Sequence, residues 1–414
     1  MPRPRLLMVL LVAAVATAGC GREDPVDNDP DTPALLNPQR DLFENLGFPE
    51  LATKNTTRVA GANATQAAAG VARAVYPDAQ HRPSAVTLVD TSDWRVAVAA
   101  AALTAAPISA PVLFSDGDDL PGASRRALDA LDPAGSKAAG NAQVIRVGNV
   151  ARPSGRKTTD LTGATALGLT RAIAGLIISA KTRTAPSVIV TTAEDSSIAA
   201  PAAAYAAKSG TPVLFVNRAE IPPETRAALA ALARPRIFLL GPSRAIGPKV
   251  SRQLRRLGRV QRFGGQDPAG NAVAVARFRE GSFGWGIVDP GHGLVFARSE
   301  RPLDAVAASA LSSAGTYGPL LLLDDPEKLP LDLQRYLLDI QPGYAEDPVR
   351  GVYNHGWIIG DRKAITIAAQ TELDALLEIV PVRTPDAPPE EPIDEPPAAQ
   401  TGTTTTDTTT TPSP

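Results

Sequence analysis

The feature that most constrains the fold is a series of motifs that occurs three times along a chain of 414 residues. Each copy contains an apolar strand pattern led by proline, then an apolar residue and a proline that open a helix pattern, and then an apolar strand pattern that ends in glycine. The proline-led segments are 111–114, 212–215 and 319–322. The strands that end in glycine are 144–148, 237–241 and 357–360. We therefore expect three copies of one structural unit.

A further strand and helix precede each proline-led segment. The strand patterns are 85–89, 187–191 and 294–297, and the alanine-rich helix patterns are 96–105, 198–207 and 304–312. Strands of four to six apolar residues that alternate with helices of about ten are typical of βαβ units with a parallel sheet. The prolines Pro121, Pro222 and Pro330 are expected in the first turn of the helix that follows each of them. The predicted class is α/β.

Polar residues follow the first strand of each copy, where the carboxyl ends of parallel strands meet. They are Asp90 and Asp93 in the first copy, Glu194 and Asp195 in the second, and 298–300 in the third. Open parallel sheets bind ligands at this edge, so a crevice is expected there. Acid–base chemistry or a divalent cation at these carboxylates is one interpretation, and solvated loop residues are the other.

The N-terminal residues have the pattern of an export signal. Arg3 and Arg5 precede the apolar run 6–18, which is too short to span a bilayer as a helix. The sequence 17–20 ends in Cys20, the only cysteine, and resembles the lipobox of bacterial lipoproteins. We expect a signal peptide at 1–19, lipidation (palmitate) of Cys20, and an extracytoplasmic location on the cell membrane. An ordinary signal peptide with an incidental cysteine is the alternative.

Charge separates the ends of the chain from its middle. Residues 20–33 form an acidic tether, and residues 383–414 form a tail rich first in Pro, Glu and Asp and then in Thr, which cannot bury a core and is predicted to be disordered. The whole chain has a formal charge of −2, whereas 33–383 holds 38 Lys and Arg against 32 Asp and Glu, a difference of +6. This excess suits an anionic partner, although an ordinary solvated surface gives the same count. The basic residues do not follow a nucleic-acid-binding pattern.

Motifs for catalysis are missing from the sequence. The three histidines, His81, His292 and His355, show no metal-ligand spacing on one helix face. The segment around Ser243 lacks the second glycine of a nucleophile elbow, and Gly-Lys-Ser/Thr phosphate loops do not occur. We predict no enzyme activity, no cofactor and no metal.

The ordered motifs resemble the cell wall-binding repeat type 2 family of Gram-positive surface proteins. That family opens each repeat with Arg-x-x-Gly-x-Asp-Arg, and 58–63 and 262–267 are similar to this segment, as 160–163 is in reduced form. Asp304-Ala305-Val306 is similar to the family's Asp-Ala-Leu helix start. The resemblance divides the chain into repeats at 57–155, 156–258 and 259–382. It implies Toprim-like modules arranged about a pseudo-threefold axis, which bind an anionic cell-wall polymer without a covalent bond.

Candidate ligand-binding residues follow from the same resemblance: Arg58, Asn63, Arg262, Asp267 and Asp304. A guanidinium matches phosphate or carboxylate groups, so the two arginines are the first candidates. Their alternative role is an ion pair that holds modules together. For Asp267 and Asp304 the alternative is helix capping or pairing with those arginines.

The predicted function is that of a lipid-anchored surface protein, monomeric, which binds a teichoic-acid-like or secondary polysaccharide polymer through its three modules. A lipid-anchored solute-binding protein of a transporter or sensor is the alternative, and a wall-acting hydrolase or metal-dependent enzyme is a third possibility. Polymer binding predicts several shallow, basic, equivalent grooves. Solute binding predicts one deep pocket at one unequal interface.

Overall fold

The computed structural model describes residues 51–59, 61–181, 187–313 and 318–382. The predicted signal peptide, Cys20, the acidic tether and the tail 383–414 lie outside the described residues. In the part of the chain that is described, no helix is long and apolar enough to cross a membrane.

Thirteen of the strands form three main sheets. They are β1 (Leu51–Ala52), β2 (Thr56–Val59), β3 (Val86–Asp90), β4 (Val112–Ser115), β5 (Val144–Val147), β6 (Thr158–Leu161), β7 (Ser187–Thr192), β8 (Val213–Val216), β9 (Arg236–Leu240), β10 (Arg259–Phe263), β13 (Gly293–Arg298), β14 (Leu320–Leu323) and β16 (His355–Ile359). Two short pairs complete the set: β11 (Arg279–Glu280) with β12 (Phe283–Gly284), and β15 (Gly343–Tyr344) with β17 (Val380–Pro381).

Helices pack on both faces of these sheets. They are α1 (Ala64–Val75), α2 (Trp94–Ala100), α3 (Gly122–Leu131), α4 (Ala166–Ala180), α5 (Ser196–Ala199), α6 (Pro201–Ser209), α7 (Pro223–Ala231), α8 (Pro248–Leu257), α9 (Pro268–Arg277), α10 (Pro302–Ala307), α11 (Ser309–Ser313), α12 (Leu331–Asp339) and α13 (Ile367–Leu377). Short 3-10 turns lie at Ala79–His81, Ala101–Thr104, Lys137–Ala139 and Pro348–Arg350.

The three sheets share one strand order, which confirms the α/β class with parallel sheets. The orders are β4-β3-β5-β6, β8-β7-β9-β10 and β14-β13-β16-β2-β1. All neighbours run parallel except β1, which is antiparallel to β2. In each sheet the proline-led strand is at one edge and the strand that ends in glycine lies next to the first strand. The modules are therefore copies of one α/β unit about a pseudo-threefold axis.

The fourth strand of each sheet comes from the opening segment of a different repeat. β6 opens the second repeat but pairs with β5 of the first, and β10 opens the third but pairs with β9 of the second. The ring closes because β2, which opens the first repeat, pairs with β16 of the third. Each opening strand thus joins two repeats through backbone hydrogen bonds.

The modules meet at a centre of small side chains. Helix α6 packs against α11 and against the 3-10 turn Ala101–Thr104, and α2 packs against α10. Ala100, Ala204 and Ala307 are among the buried residues of this region. Alanine lets helix backbones approach closely, which is why a chain with so few aromatic side chains can still bury a core.

The glycines of the repeated motifs have two separate structural reasons, which are close backbone contact and positive φ. A Cβ on Gly265 would lie 2.3 Å from the backbone carbon of Gly270, and one on Gly163 would lie 2.6 Å from that of Gly168. The opening strand therefore runs too close to the next helix for a side chain. Gly148, Gly241 and Gly360, which follow the closing strands, instead have φ of 78°, 117° and 108°, where glycine avoids strain.

The proline of each Leu-Pro or Ile-Pro pair lies one position earlier than predicted. Pro121, Pro222 and Pro330 are N-cap residues with extended ψ, and the helices begin at the residues after them. The cap position also suits proline, because its missing N–H needs no acceptor there.

Candidate functional site

Arg58 of β2 is enclosed by the protein. Its side chain has no exposed surface. Nε and Nη2 both donate to Oε1 of Gln370, at 3.0 and 2.8 Å, and Nη1 donates to the carbonyl oxygens of Gly360 and Asp361, each at 3.0 Å. The guanidinium thereby fastens the end of β16 to the opening strand of the first repeat. A ligand in solvent does not reach it in this conformation, so we place no ligand contact there.

Asn63 and Asp267 cap the helices that follow the opening strands. Oδ1 of Asn63 accepts from the backbone N–H of Gln66 at 3.0 Å, and Oδ1 of Asp267 accepts from that of Gly270 at 2.8 Å. Thr165 does the same in the second repeat, where its Oγ1 accepts from Gly168 at 3.0 Å. The Asn, Asp or Thr at this motif position therefore satisfies an otherwise unpaired N–H in the first helical turn.

Asp304 lies in the first turn of α10 and is buried, with 1% of its surface exposed. Its Oδ2 is 2.7 Å from Nε of Arg301, and Nη1 of the same arginine is 3.6 Å from Oδ1 of Asp361. Burial raises the pKa of Asp304 to about 6, although the charge of Arg301 acts in the opposite direction. Asp304 and Arg58 lie at the same carboxyl end of the third sheet, on either side of Gly360.

Arg262 of β10 is the counterpart of Arg58 but remains partly exposed. Nη1 donates to the carbonyl oxygen of Gly241 at 2.7 Å, and Nη2 donates to that of Ile246 at 2.8 Å. Burial and the neighbouring charge of Arg255 both lower the pKa of Arg262. Two guanidinium groups are therefore close enough to repel each other.

Arg255 and Arg262 line one open groove. Its volume is about 300 Å³, and it lies between the exposed side of α8 and the end of β10. Ser243, Pro248, Ser251, Arg252, Arg255 and Arg262 form the walls. The lining thus offers three guanidinium groups and two hydroxyls, all of which donate hydrogen bonds to an anion.

The described residues that line the groove include no carboxylate. Nearby ion pairs join Arg236 to Glu280 and Arg244 to Asp195. Within the described ranges, Arg252, Arg255 and Arg262 make no ion pair with an acidic side chain. A site whose cations lack internal partners is suited to an external anion.

The sequence carries a signal for this groove that is not a motif. Between Glu224 and Asp267 the chain contains no acidic residue but ten basic ones: Arg226, Arg234, Arg236, Arg244, Lys249, Arg252, Arg255, Arg256, Arg259 and Arg262. They are spread over 37 residues instead of forming a run, which hides the excess from a search for clusters. Helix α8 then gathers several of them on one exposed side.

The equivalent place in the third module is filled. Helix α13 buries Ala369, Gln370 and Leu373 at the positions where α8 buries Val250, Ser251 and Leu254. Gln370 reaches Arg58, whereas the shorter Ser251 leaves space beside Arg262. Polar groups of the turn between β1 and β2 also cover α13: Thr53 and Asn55 contact Asp374, and Lys54 contacts Glu378.

The first module uses a third arrangement. Asp160 occupies the position of Arg58 and Arg262, and it pairs with Arg146 of the adjacent strand β5 at 3.0 Å. Arg146 is buried and donates to the carbonyl oxygens of Val150 and Ala151. The guanidinium that supports the turn after the closing strand has thus moved to the neighbouring strand. The three modules do not present equivalent grooves.

The four carboxylates expected at the sheet edge accept hydrogen bonds from backbone N–H groups. Asp93 and Asp195 cap α2 and α5, Asp90 accepts from the N–H groups of Ser92 and Gly117, and Glu194 accepts from that of Arg218. Each histidine has a separate partner, namely Asp78 for His81, Asp289 for His292 and Thr57 for His355.

An apolar cavity of about 10 Å³ lies among Tyr205, Phe263 and Phe283 and their neighbours, where the pair β11–β12 inserts against the second sheet. This volume holds at most one water molecule, so it is not a solute pocket.

Comparisons with known proteins identify the fold. No protein-family model and no curated protein matches the sequence. Among solved structures, Cwp6 from Clostridium difficile superposes with a TM-score of 0.62 and 17% identity, covering 77% of this chain and 48% of that one. Cwp8 from Clostridium difficile gives a TM-score of 0.60 and 17% identity, covering 78% and 52%. The chain spans about half the length of these proteins, and at such identity the likeness shows a shared fold alone.

Proposed function

We propose that this protein works at the cell surface, attached by a lipid at Cys20, and binds an anionic cell-wall polymer through the groove of Arg252, Arg255 and Arg262. The observation that carries the proposal is the groove itself, open and lined by guanidinium groups that lack acidic partners among the described residues. The fold that the chain shares with the Clostridium difficile cell wall proteins Cwp6 and Cwp8 supports the location.

The shape of the groove favours a polymer over a small solute. A buried solute site encloses most of its ligand and is largely apolar, whereas this groove is shallow and polar. An extended anionic chain contacts such a surface through successive charged groups. The proposed activity is binding, without a chemical step and without a cofactor.

The difference between the three modules changes the expected stoichiometry. Three equivalent sites would strengthen weak contacts through effective concentration. Among the described residues, however, the open arginine groove lies at the junction of the second and third repeats, while Gln370 encloses Arg58 and Asp160 replaces the arginine in the first module. We therefore infer one principal polymer site per molecule.

Sedimentation with purified cell walls tests the function. The mature chain is mixed with walls before and after anionic polymers are stripped, over a range of salt concentrations. We expect binding that disappears with the polymer and weakens with salt. Arg252→Ala/Arg255→Ala is expected to abolish most of it, while Arg362→Ala/Lys363→Ala removes the same charge from the exposed turn of the third module and serves as the control. Equal sedimentation with native and stripped walls would reject polymer binding.

A further inference from the structure

The groove has a possible occupant within the chain itself. Residues 386–395, which we call the acidic segment, contain Asp386, Glu390, Glu391, Asp394 and Glu395 and no basic residue. Residues 225–266, which build the groove, contain ten basic residues and no acidic one. The two segments have opposite charges, and both lie in one molecule.

We propose that the acidic segment docks in the groove of Arg252, Arg255 and Arg262 and competes there with the external anion. The inference rests on the proposed function for the identity of the ligand, but the contact between segment and groove is a separate claim. Carboxylates accept hydrogen bonds from guanidinium groups in the same geometry as phosphates, so one groove suits both.

The chain leaves the described structure at a place from which the groove is within reach. Val382 donates its N–H to the carbonyl oxygen of Tyr344 at 2.8 Å, which places the exit beside β15. β15 follows α12, which packs against α9, and Arg277 of α9 forms an ion pair with Asp339 of α12. α9 in turn follows the groove strand β10.

Helix geometry gives the length of this path. Packed helices are about 8–10 Å apart and a helix of ten residues is about 15 Å long, so the exit and the groove are separated by a distance on the order of 30 Å. The stretch from Val382 to Glu395 spans at most about 43 Å when extended. At about 3.3 Å per residue, Glu391 lies at the limit of this distance and Asp394 and Glu395 are within it, so the C-terminal half of the acidic segment reaches the groove without rearrangement of the modules.

The composition of the segment lowers the cost of docking. Prolines at 385, 388, 389, 392, 396 and 397 surround the carboxylates. Proline fixes φ, so fewer backbone conformations are lost when the segment binds. A tethered segment also acts at an effective concentration on the order of 1 mM, so a dissociation constant of about 0.25 mM for the segment would weaken the binding of an external ligand about fivefold.

A matched pair of variants tests the competition. One variant neutralises the segment (Glu390→Gln/Glu391→Gln/Asp394→Asn/Glu395→Gln), and the other removes four charges from the N-terminal tether (Glu23→Gln/Asp24→Asn/Asp27→Asn/Asp29→Asn). The affinity for a fluorescent short-chain polyphosphate is measured at low salt in the full mature chain. We expect about fivefold tighter binding for the first variant and less than twofold change for the second. Equal gains from both would show a general charge effect and overturn the proposal.

A second readout does not depend on any external ligand. Lys249 is exposed and follows Pro248 of the groove wall, so carbodiimide treatment at low salt should couple its amine to carboxylates of the segment. Lys137, exposed in the first module, is the control amine. Coupling at Lys249 with no binding of polyphosphate to any variant would keep the docked segment and reject the anionic ligand. Coupling no stronger at Lys249 than at Lys137, with unchanged polyphosphate affinity, would reject docking.

Discussion

In the second and third modules an arginine of the opening strand supports the glycine turn that follows the neighbouring closing strand, yet the two guanidinium groups have different surroundings. Arg58 is enclosed by Gln370 and by the carbonyl oxygens of Gly360 and Asp361. Arg262 supports the equivalent turn with two hydrogen bonds but lines an open groove beside Ser251 and Arg255. A difference of side-chain length at one helix position thus separates a structural arginine from one that an external ligand can contact.

The first module also supports the turn after its closing strand with a guanidinium, but it uses other residues. The turn after β5 also receives hydrogen bonds from a guanidinium, but Arg146 supplies them from the closing strand and Asp160 neutralises it. The support of this turn is therefore the shared requirement of all three modules. Among the three turn-supporting arginines, Arg262 of the second module is the one that also lines an open groove.

Replacement of the two arginines gives the largest expected contrast. Arg58→Ala leaves three buried oxygen acceptors without their donor and opens a cavity, so we expect a loss of about 3–5 kcal/mol in the free energy of unfolding. Arg262→Ala loses two bonds at a partly hydrated site and should cost about 1–2 kcal/mol. Urea denaturation of both variants measures the difference. Similar losses at the two positions would contradict the contrast.

The groove arginines should affect binding but not folding. We expect Arg252→Ala/Arg255→Ala to weaken binding of a polyanion by about 100-fold or more, because each of the two lost charge-assisted hydrogen bonds contributes at least about 1.5 kcal/mol and about 1.4 kcal/mol is tenfold. Its free energy of unfolding should stay within about 0.5 kcal/mol of the parent, since both side chains are exposed. Titration calorimetry and urea denaturation provide the two measurements, and a coupled loss of both would assign these residues to the fold.

Asp304 distinguishes the third module in its response to pH. Its pKa in the folded chain, about 6, is above the value of 3.8 expected when unfolded. The stability associated with the protonated carboxyl is therefore present below about pH 4 and lost as the pH rises through about 6, a total change of roughly 3 kcal/mol.

Asp304→Asn should remove this dependence, so that the variant exceeds the parent in stability at pH 7 but not at pH 4. Asp332→Asn, on the exposed side of α12, controls for the loss of one negative charge. Parallel stability curves for the parent and Asp304→Asn between pH 4 and 7 would show that the Arg301 pair compensates for burial.

Exchange of the single helix residue is the smallest and sharpest test. Ser251→Gln places at the groove the side chain that encloses Arg58, so we expect binding of a polyanion to weaken by about three- to tenfold while stability is maintained or increases. Ser251→Ala removes the hydroxyl without filling the space and should change the affinity by less than Ser251→Gln. If the alanine variant loses as much, the hydroxyl and not the open space explains the binding.

Much of the fold could be predicted from periodicity. The predicted strands 187–191 and 294–297 correspond to Ser187–Thr192 and Gly293–Arg298, because a buried parallel strand requires a continuous apolar run. The predicted helix 198–207 is instead two helices that meet at Pro201, and 304–312 divides into α10 and α11. Alanine-rich patterns do not show where a helix bends, since alanine fits both geometries.

The candidate site could be predicted only in part. The opening motif of the third repeat predicts Arg262, whereas Ser251, Arg252 and Arg255 belong to no motif, and only the structure places them in the groove. Arg58 shares the motif but lies inside the protein. Both arginines of the motif donate to the carbonyl oxygen of the glycine turn, and this shared role depends only on the paired strand. Whether the arginine is exposed depends on other parts of the fold.

The sequence by itself determined the threefold repetition, the α/β class and the positions of glycine and helix caps, because these follow from local periodicity and backbone geometry. Only the tertiary structure decided that each opening strand joins the sheet of another repeat, and which arginine remains exposed. Strand pairing between residues about 300 positions apart, such as Arg58 with Ile358, and the space beside one helix residue depend on how the modules pack. No local pattern encodes that arrangement.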